Sequence, residues 1–126
     1  MKKDMAIWWT IPIPPKTGNG QYGSRRGGRK YLLPCMTEWR LLVKCACAGG
    51  PVFKGGKYTM YMMTYFPDES RRRDSSNYLK VVEDALQKAG VLDDDHNIVN
   101  HALSKSVDSE RPRIMVALEI DEPWAK

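Results

Sequence analysis

The sequence predicts an α+β domain, with two main helices packed on one mixed sheet of about four to five strands. Three observations lead there. Stretches rich in β-branched and aromatic residues recur between turn residues. Two longer stretches place apolar residues at helical spacing, and the two kinds follow in the order β-α-β-α-β-β. A chain of 126 residues suffices for one core but not two, and no repeat or linker divides it. Residues 1–126 therefore read as a single domain.

Ala6 to Ile13 is rich in β-branched and aromatic residues and reads as the first strand, ending near Pro14-Pro15. Residues 16–30 then hold five glycines and five basic residues, Lys16, Arg25, Arg26, Arg29 and Lys30. This is a mobile basic loop, either an arm that closes on phosphates or a solvated surface loop. It lacks the G-x-x-x-x-G-K-[ST] spacing of a phosphate-binding P-loop. Thr37 is the expected N-cap of a helix running to about Cys47, ended by Gly49-Gly50-Pro51. Its apolar positions, Trp39 and Leu41 to Val43 with Cys45 to Cys47, form a broad face suited to packing on a sheet.

Gly55-Gly56 turns the chain into a strand from Tyr58 to Phe66, closed by Pro67-Asp68. Asp74, Ser75 or Ser76 can each cap the second helix. Its buried face comprises Tyr78, Val81, Val82, Ala85, Leu86 and Ala89, and Gly90 is the expected C′ residue. Ile98 to Ser104 and Pro112 to Ile120 read as the last two strands.

Charge is unevenly spread. Residues 1–73 hold 14 Lys+Arg against 4 Asp+Glu, and residues 74–126 hold 6 against 11, which gives +10 and −5. A basic half joined to an acidic cluster suits a polyanion partner and a separate cation site. No apolar run reaches the ~18–20 residues of a membrane span, and the start lacks the pattern of a signal peptide. The expectation is a cytoplasmic protein without membrane attachment. The three cysteines, Cys35, Cys45 and Cys47, are odd in number and read as reduced structural thiols.

The densest chemistry lies in Arg71-Arg72-Arg73-Asp74, in Lys80 on the following helix, and in Asp93-Asp94-Asp95 past the helix end. Clustered carboxylates suit a hard cation such as Mg²⁺, and clustered arginines suit phosphate. Asp74 and Asp95 are the candidate metal residues of a phosphodiester hydrolase. Lys80 would neutralise developing charge, and Arg71 to Arg73 would hold neighbouring phosphates. The alternative is that Asp74 is only a helix cap and Lys80 only a solvent-facing residue. A helix lying along the sheet separates its ends by about 20 Å. The acidic loop must therefore turn back to approach Asp74. The same loop fails as an EF-hand, because Ile98 stands where the turn glycine belongs and Ser104 where the closing glutamate belongs.

These residues resemble a known family. Arg71-Arg72-Arg73-Asp74-Ser75-Ser76-Asn77, Lys80, Asp84-Ala85-Leu86, Lys88-Ala89-Gly90 and Asp94-Asp95 resemble the RusA family of Holliday junction resolvases. Ile11-Pro12-Ile13-Pro14-Pro15 and the glycine- and arginine-rich loop resemble that family's N-terminal segment. The resemblance implies a small homodimeric endonuclease of phage or bacterial origin that uses Mg²⁺ or Mn²⁺ and no organic cofactor. Its partner would be branched DNA, a four-way junction nicked on two opposed strands in recombination and repair. Asp74 matches the first aspartate of the family's D-x-D-N motif, Asn77 its asparagine, Lys80 its functional lysine and Asp95 its downstream metal aspartate. Ser76 stands at the motif's second aspartate. A neutral hydroxyl there leaves three readings: weaker metal binding, a substitute carboxylate such as Asp94 or Asp84, or a protein that binds junctions without cutting them. A further alternative is a single-strand or RNA-binding protein that stacks bases on Tyr22 and the tryptophans.

Overall fold

The computed structural model describes residues 7–24, 27–70 and 74–121. Strand β1 (Ile7–Ile11) leads through a 3-10 turn (Gly18–Gln21) into a short hairpin of β2 (Tyr22–Ser24) and β3 (Lys30–Leu32). Helix α1 (Pro34–Cys47), strand β4 (Tyr58–Phe66), helix α2 (Leu79–Lys88) and strands β5 (Ile98–Val107) and β6 (Arg113–Ile120) follow. The main sheet has four strands in the order β1-β6-β4-β5. Only β4 and β5 run parallel, and the crossover that joins them contains α2. This is the mixed-sheet α+β domain that the sequence predicts.

Alternation along β4 shows how the layers form. Tyr58, Met60, Met62, Thr64 and Phe66 are buried, while the residues between them are half-buried. Cross-strand register puts Ile114, Val116 and Leu118 of β6, and Trp9 and Ile11 of β1, on the buried face. Met36, Trp39 and Val43 of α1 and Val81, Val82, Ala85 and Leu86 of α2 complete that core. Among the described residues, no helix covers the opposite face. There Trp8 packs on Tyr61, and the Arg113 guanidinium lies 4.0 Å above the Tyr65 ring. The adjacent tryptophans thus point to opposite sides of one strand, Trp9 buried and Trp8 exposed.

Several boundaries differ from expectation, each for a physical reason. Helix α1 begins a turn before Thr37, because Pro34 occupies its first position, where proline's fixed φ and missing N–H carry no penalty. Thr37 instead directs its hydroxyl back to the Leu33 carbonyl. The helix buries a narrow stripe of Met36, Trp39, Val43 and Cys47, leaving Leu41 and Leu42 exposed. Residues 16–30, read as one loop, contain the 3-10 turn, β2 and the first residue of β3. Gln21 is buried there and accepts a hydrogen bond from Arg40. Strand β5 continues to Val107 rather than ending at Ser104.

Helix α2 ends as its sequence predicts. Gly90 has φ 82°, with Gly90 N–H donating to Gln87 and Val91 N–H to Leu86. These paired bonds form a Schellman motif, and the left-handed residue needs glycine. Gly90→Ala should therefore destabilise the fold by about 1–2 kcal/mol, read as a lower urea midpoint with an unchanged denaturant slope.

Candidate functional site

Past β4 the chain turns at Pro67 to Ser70, where Ser70 N–H donates to the Asp68 carboxylate. Arg71, Arg72 and Arg73 lie outside the described residues, as do Arg25 and Arg26. Asp74 then enters in extended backbone and caps the 3-10 turn Ser75–Tyr78 that precedes α2. Of the three candidate caps, Asp74 is the one used. Its Oδ1 accepts from Ser76 N–H at 3.0 Å and from Ser76 Oγ at 2.9 Å.

The Ser76 backbone bond, then its hydroxyl, hold the Asp74 carboxyl below the usual aspartate range. Ser75 is buried and donates from Oγ to the Ser104 carbonyl of β5 at 2.9 Å. That bond fixes the turn to the sheet beside an open pocket of about 190 Å³. Asp74, Ser75, Ser76, Leu103, Ser104 and Lys105 line it. Lys105 adds a favourable charge to Asp74, and nothing in its short Ser-Lys-Ser context marked it in the sequence.

The acidic loop turns back along α2 as far as Lys80. Lys80, Asp84 and Gln87 share one helix face, and the loop docks on it. Lys80 Nζ donates to Asp95 Oδ2 at 2.7 Å and lies 3.3 Å from Asp84 Oδ1. Gln87 Oε1 accepts from Asp95 N–H at 3.1 Å. The three aspartates thus have different roles. Asp93 ties the loop to Gly55, Asp94 caps the 3-10 turn Asp95–Asn97, and Asp95 faces Lys80. The bond to Asp95, reinforced by Asp84, raises the Lys80 pKa above its ordinary value, so Lys80 stays a cation at neutral pH.

The structure therefore joins Lys80 to Asp95, and separately joins Asp74 to Ser76. No hydrogen bond or ion pair links the two groups among the described residues. Nor do three or more His, Cys, Asp or Glu side chains among the described residues form a metal-binding group. Asn77 donates from its backbone to the Asp74 carbonyl and is exposed. Lys16, Arg29 and Lys30 are exposed, and the 3-10 turn after Lys16 packs against α2. Among the described residues, no helix is long and apolar enough to cross a membrane.

A family model described as endodeoxyribonuclease RusA matches residues 12–119, most of the chain. No curated protein matches it.

The Lys80–Asp95 bond has a direct spectroscopic consequence. A raised folded pKa means that the bond's contribution is complete below the ordinary lysine value and is lost only as pH rises through the raised one. In Asp95→Asn, the Lys80 side-chain titration followed by NMR should move back toward the ordinary value. An unchanged titration would mean that the pair does not form in solution.

Proposed function

The chain belongs to the RusA family of endodeoxyribonucleases, and on that premise we propose that it acts as a homodimer that nicks two opposed strands of a four-way DNA junction. The observation that carries this reading is the 2.7 Å bond between Asp95 and Lys80, 15 residues apart in sequence, with Lys80 on the helix that follows the turn capped by Asp74. Two-fold symmetry suits the task, because a junction presents two equivalent strands and a dimer presents two equivalent sites.

Asp74 and Asp95 are hard oxygen donors suited to Mg²⁺ or Mn²⁺. Such an ion often takes only one or two protein carboxylates and completes its shell with water and phosphate oxygens. Among the described residues, Asp74 uses only Oδ1 in hydrogen bonds, so its second oxygen is available to a cation. When bound, the ion would activate water and stabilise developing charge on phosphorus.

The remaining roles belong to the protein's own groups. Lys80, kept protonated by Asp95, acts as a fixed positive charge rather than a base, and stabilises the crowded phosphoryl oxygens. Asp74 stays ionised because Ser76 donates two hydrogen bonds to it. Lys16, Arg29 and Lys30, with Arg25, Arg26 and Arg71 to Arg73, supply phosphate contacts that position the DNA without reading its sequence. Asn77 supports the turn through its backbone bond to Asp74.

A second reading is a protein that binds junctions without cutting them. It is favoured by the neutral Ser76 and by the lack of a three-ligand acidic group among the described residues. Nicking of an end-labelled four-way junction, with Mg²⁺ and with chelator, separates the two. The nuclease reading expects symmetric metal-dependent nicks, lost in Asp74→Asn and Asp95→Asn while junction binding persists. It expects Lys80→Ala to slow cutting by about 10²–10³-fold. Tight binding with no nicks, and nicks gained by Ser76→Asp, would establish the second reading.

A further inference from the structure

Helices α1 and α2 pack against each other, and an open groove of about 250 Å³ runs between them. Thr37, Arg40, Leu41 and Lys44 of α1 form one wall, and Lys88 with Ala89 at the end of α2 forms the other. Three of these residues are cations and none is acidic. A helix end favours cations, because its last carbonyls carry partial negative charge. That accounts for Lys44 and Lys88, each in the last turn of its helix. It does not account for Arg40, two turns before the end of α1.

Arg40 is anchored by the fold. One Nη donates to Oε1 of the buried Gln21 at 3.1 Å, and its Nε is buried with no acceptor among the described residues. A guanidinium that is fixed but incompletely satisfied is a pre-placed charge for an anion. Lys44 and Lys88 are exposed, and among the described residues neither is in an ion pair. Asp84, one turn before Lys88, is already engaged by Lys80, and Glu38 of α1 does not line the groove.

Spacing points to the occupant. Lys88 stands two turns beyond Lys80 on α2, a rise of about 12 Å. One strand of a duplex passes about three to four phosphates in that length. Arg40 and Lys44 are one turn apart, about 6 Å, close to two phosphate steps. An acidic protein segment would match the cations too, but the continuation from Lys80 favours DNA. We propose that this groove holds the sugar–phosphate backbone of a DNA arm, about three to four nucleotides from the phosphate that faces Lys80. Lys44 and Lys88 contact phosphates, Arg40 supplies the fixed charge between the helices, and exposed Leu41 packs on a deoxyribose. Such contacts position the arm without reading its bases. The inference rests on the junction-binding part of the proposed function and not on cutting.

Junction binding, followed by fluorescence anisotropy in chelator over a range of salt, tests it. Each lost phosphate contact lowers the slope of log affinity against log salt by about 0.9, so Lys44→Gln with Lys88→Gln should lower it by about 1.8. Lys44→Arg with Lys88→Arg should keep the parent slope. So should Lys54→Gln with Lys57→Gln, which removes the same charge from two exposed lysines outside the groove. Circular dichroism of both Gln pairs should match the parent. An unchanged slope in the groove pair overturns the proposal and leaves the groove to an acidic protein segment. An equal fall in both Gln pairs also overturns it, because net charge alone then explains the loss. A parent that binds no DNA overturns this proposal and the nuclease reading together. If the parent nicks in Mg²⁺ and the groove pair keeps its slope, the nuclease reading stands and the groove proposal fails. If the groove pair alone loses slope and the parent never nicks, the reverse holds.

Discussion

A parallel pair of strands cannot be joined by a tight turn, and the rest of this structure depends on that constraint at β4 and β5. The chain leaves β4 at Phe66 and must return to the level of Tyr58 before β5 can begin. Helix α2 makes the return, with Val81, Val82, Ala85 and Leu86 buried against the sheet. Its entry is held at the Ser104 level by Ser75, and its exit is closed by the glycine turn at Gly90. The same crossover frees the opposite face of α2 to receive the acidic loop. Asp74, Lys80 and Asp95 are thus arranged by one helix whose packing has nothing to do with chemistry.

Electrostatics along that helix follow from who donates to whom. Two aspartates close together repel, and one of them would be pushed toward protonation. With serine at position 76 the neighbour of Asp74 is a donor, and the carboxylate is held charged by two hydrogen bonds. The hydroxyl carries no charge of its own, and with the Ser76 N–H it holds the Asp74 carboxyl below the usual aspartate range. Lys80 shows the complementary logic. Flanked by Asp95 and Asp84, it keeps its proton at neutral pH.

How legible this was in the sequence depended on what enforced each element. Strand β4, buried on alternate residues between two neighbours, was readable to both ends. The Gly90 cap was readable because only one residue type suits its backbone. The start of α1 was not, since Leu33 caps it without a side-chain bond and the signal was Pro34 at its first position. The hairpin β2–β3 was hidden in a glycine-rich stretch whose composition says loop. In the site, Asp74 and Lys80 could be picked out by their place on a helix start. Nothing local distinguishes Asp93, Asp94 and Asp95 from one another. Asp95 was singled out by the family resemblance, and of the three the fold sets it alone against Lys80.

Strand β5 was read from Ile98 but three residues short of its end at Val107, and the reason is physical. Sequence reveals a strand through alternation of burial, and a strand exposed on both faces within one copy of the chain has none to show. Val99, Leu103 and Val107 stand four residues apart, a spacing closer to a helical stripe than to a pleated face. Such spacing costs a buried strand contacts on its core side, but it costs little at an exposed sheet edge. The Ser104 carbonyl ties the inside of that edge to the turn capped by Asp74.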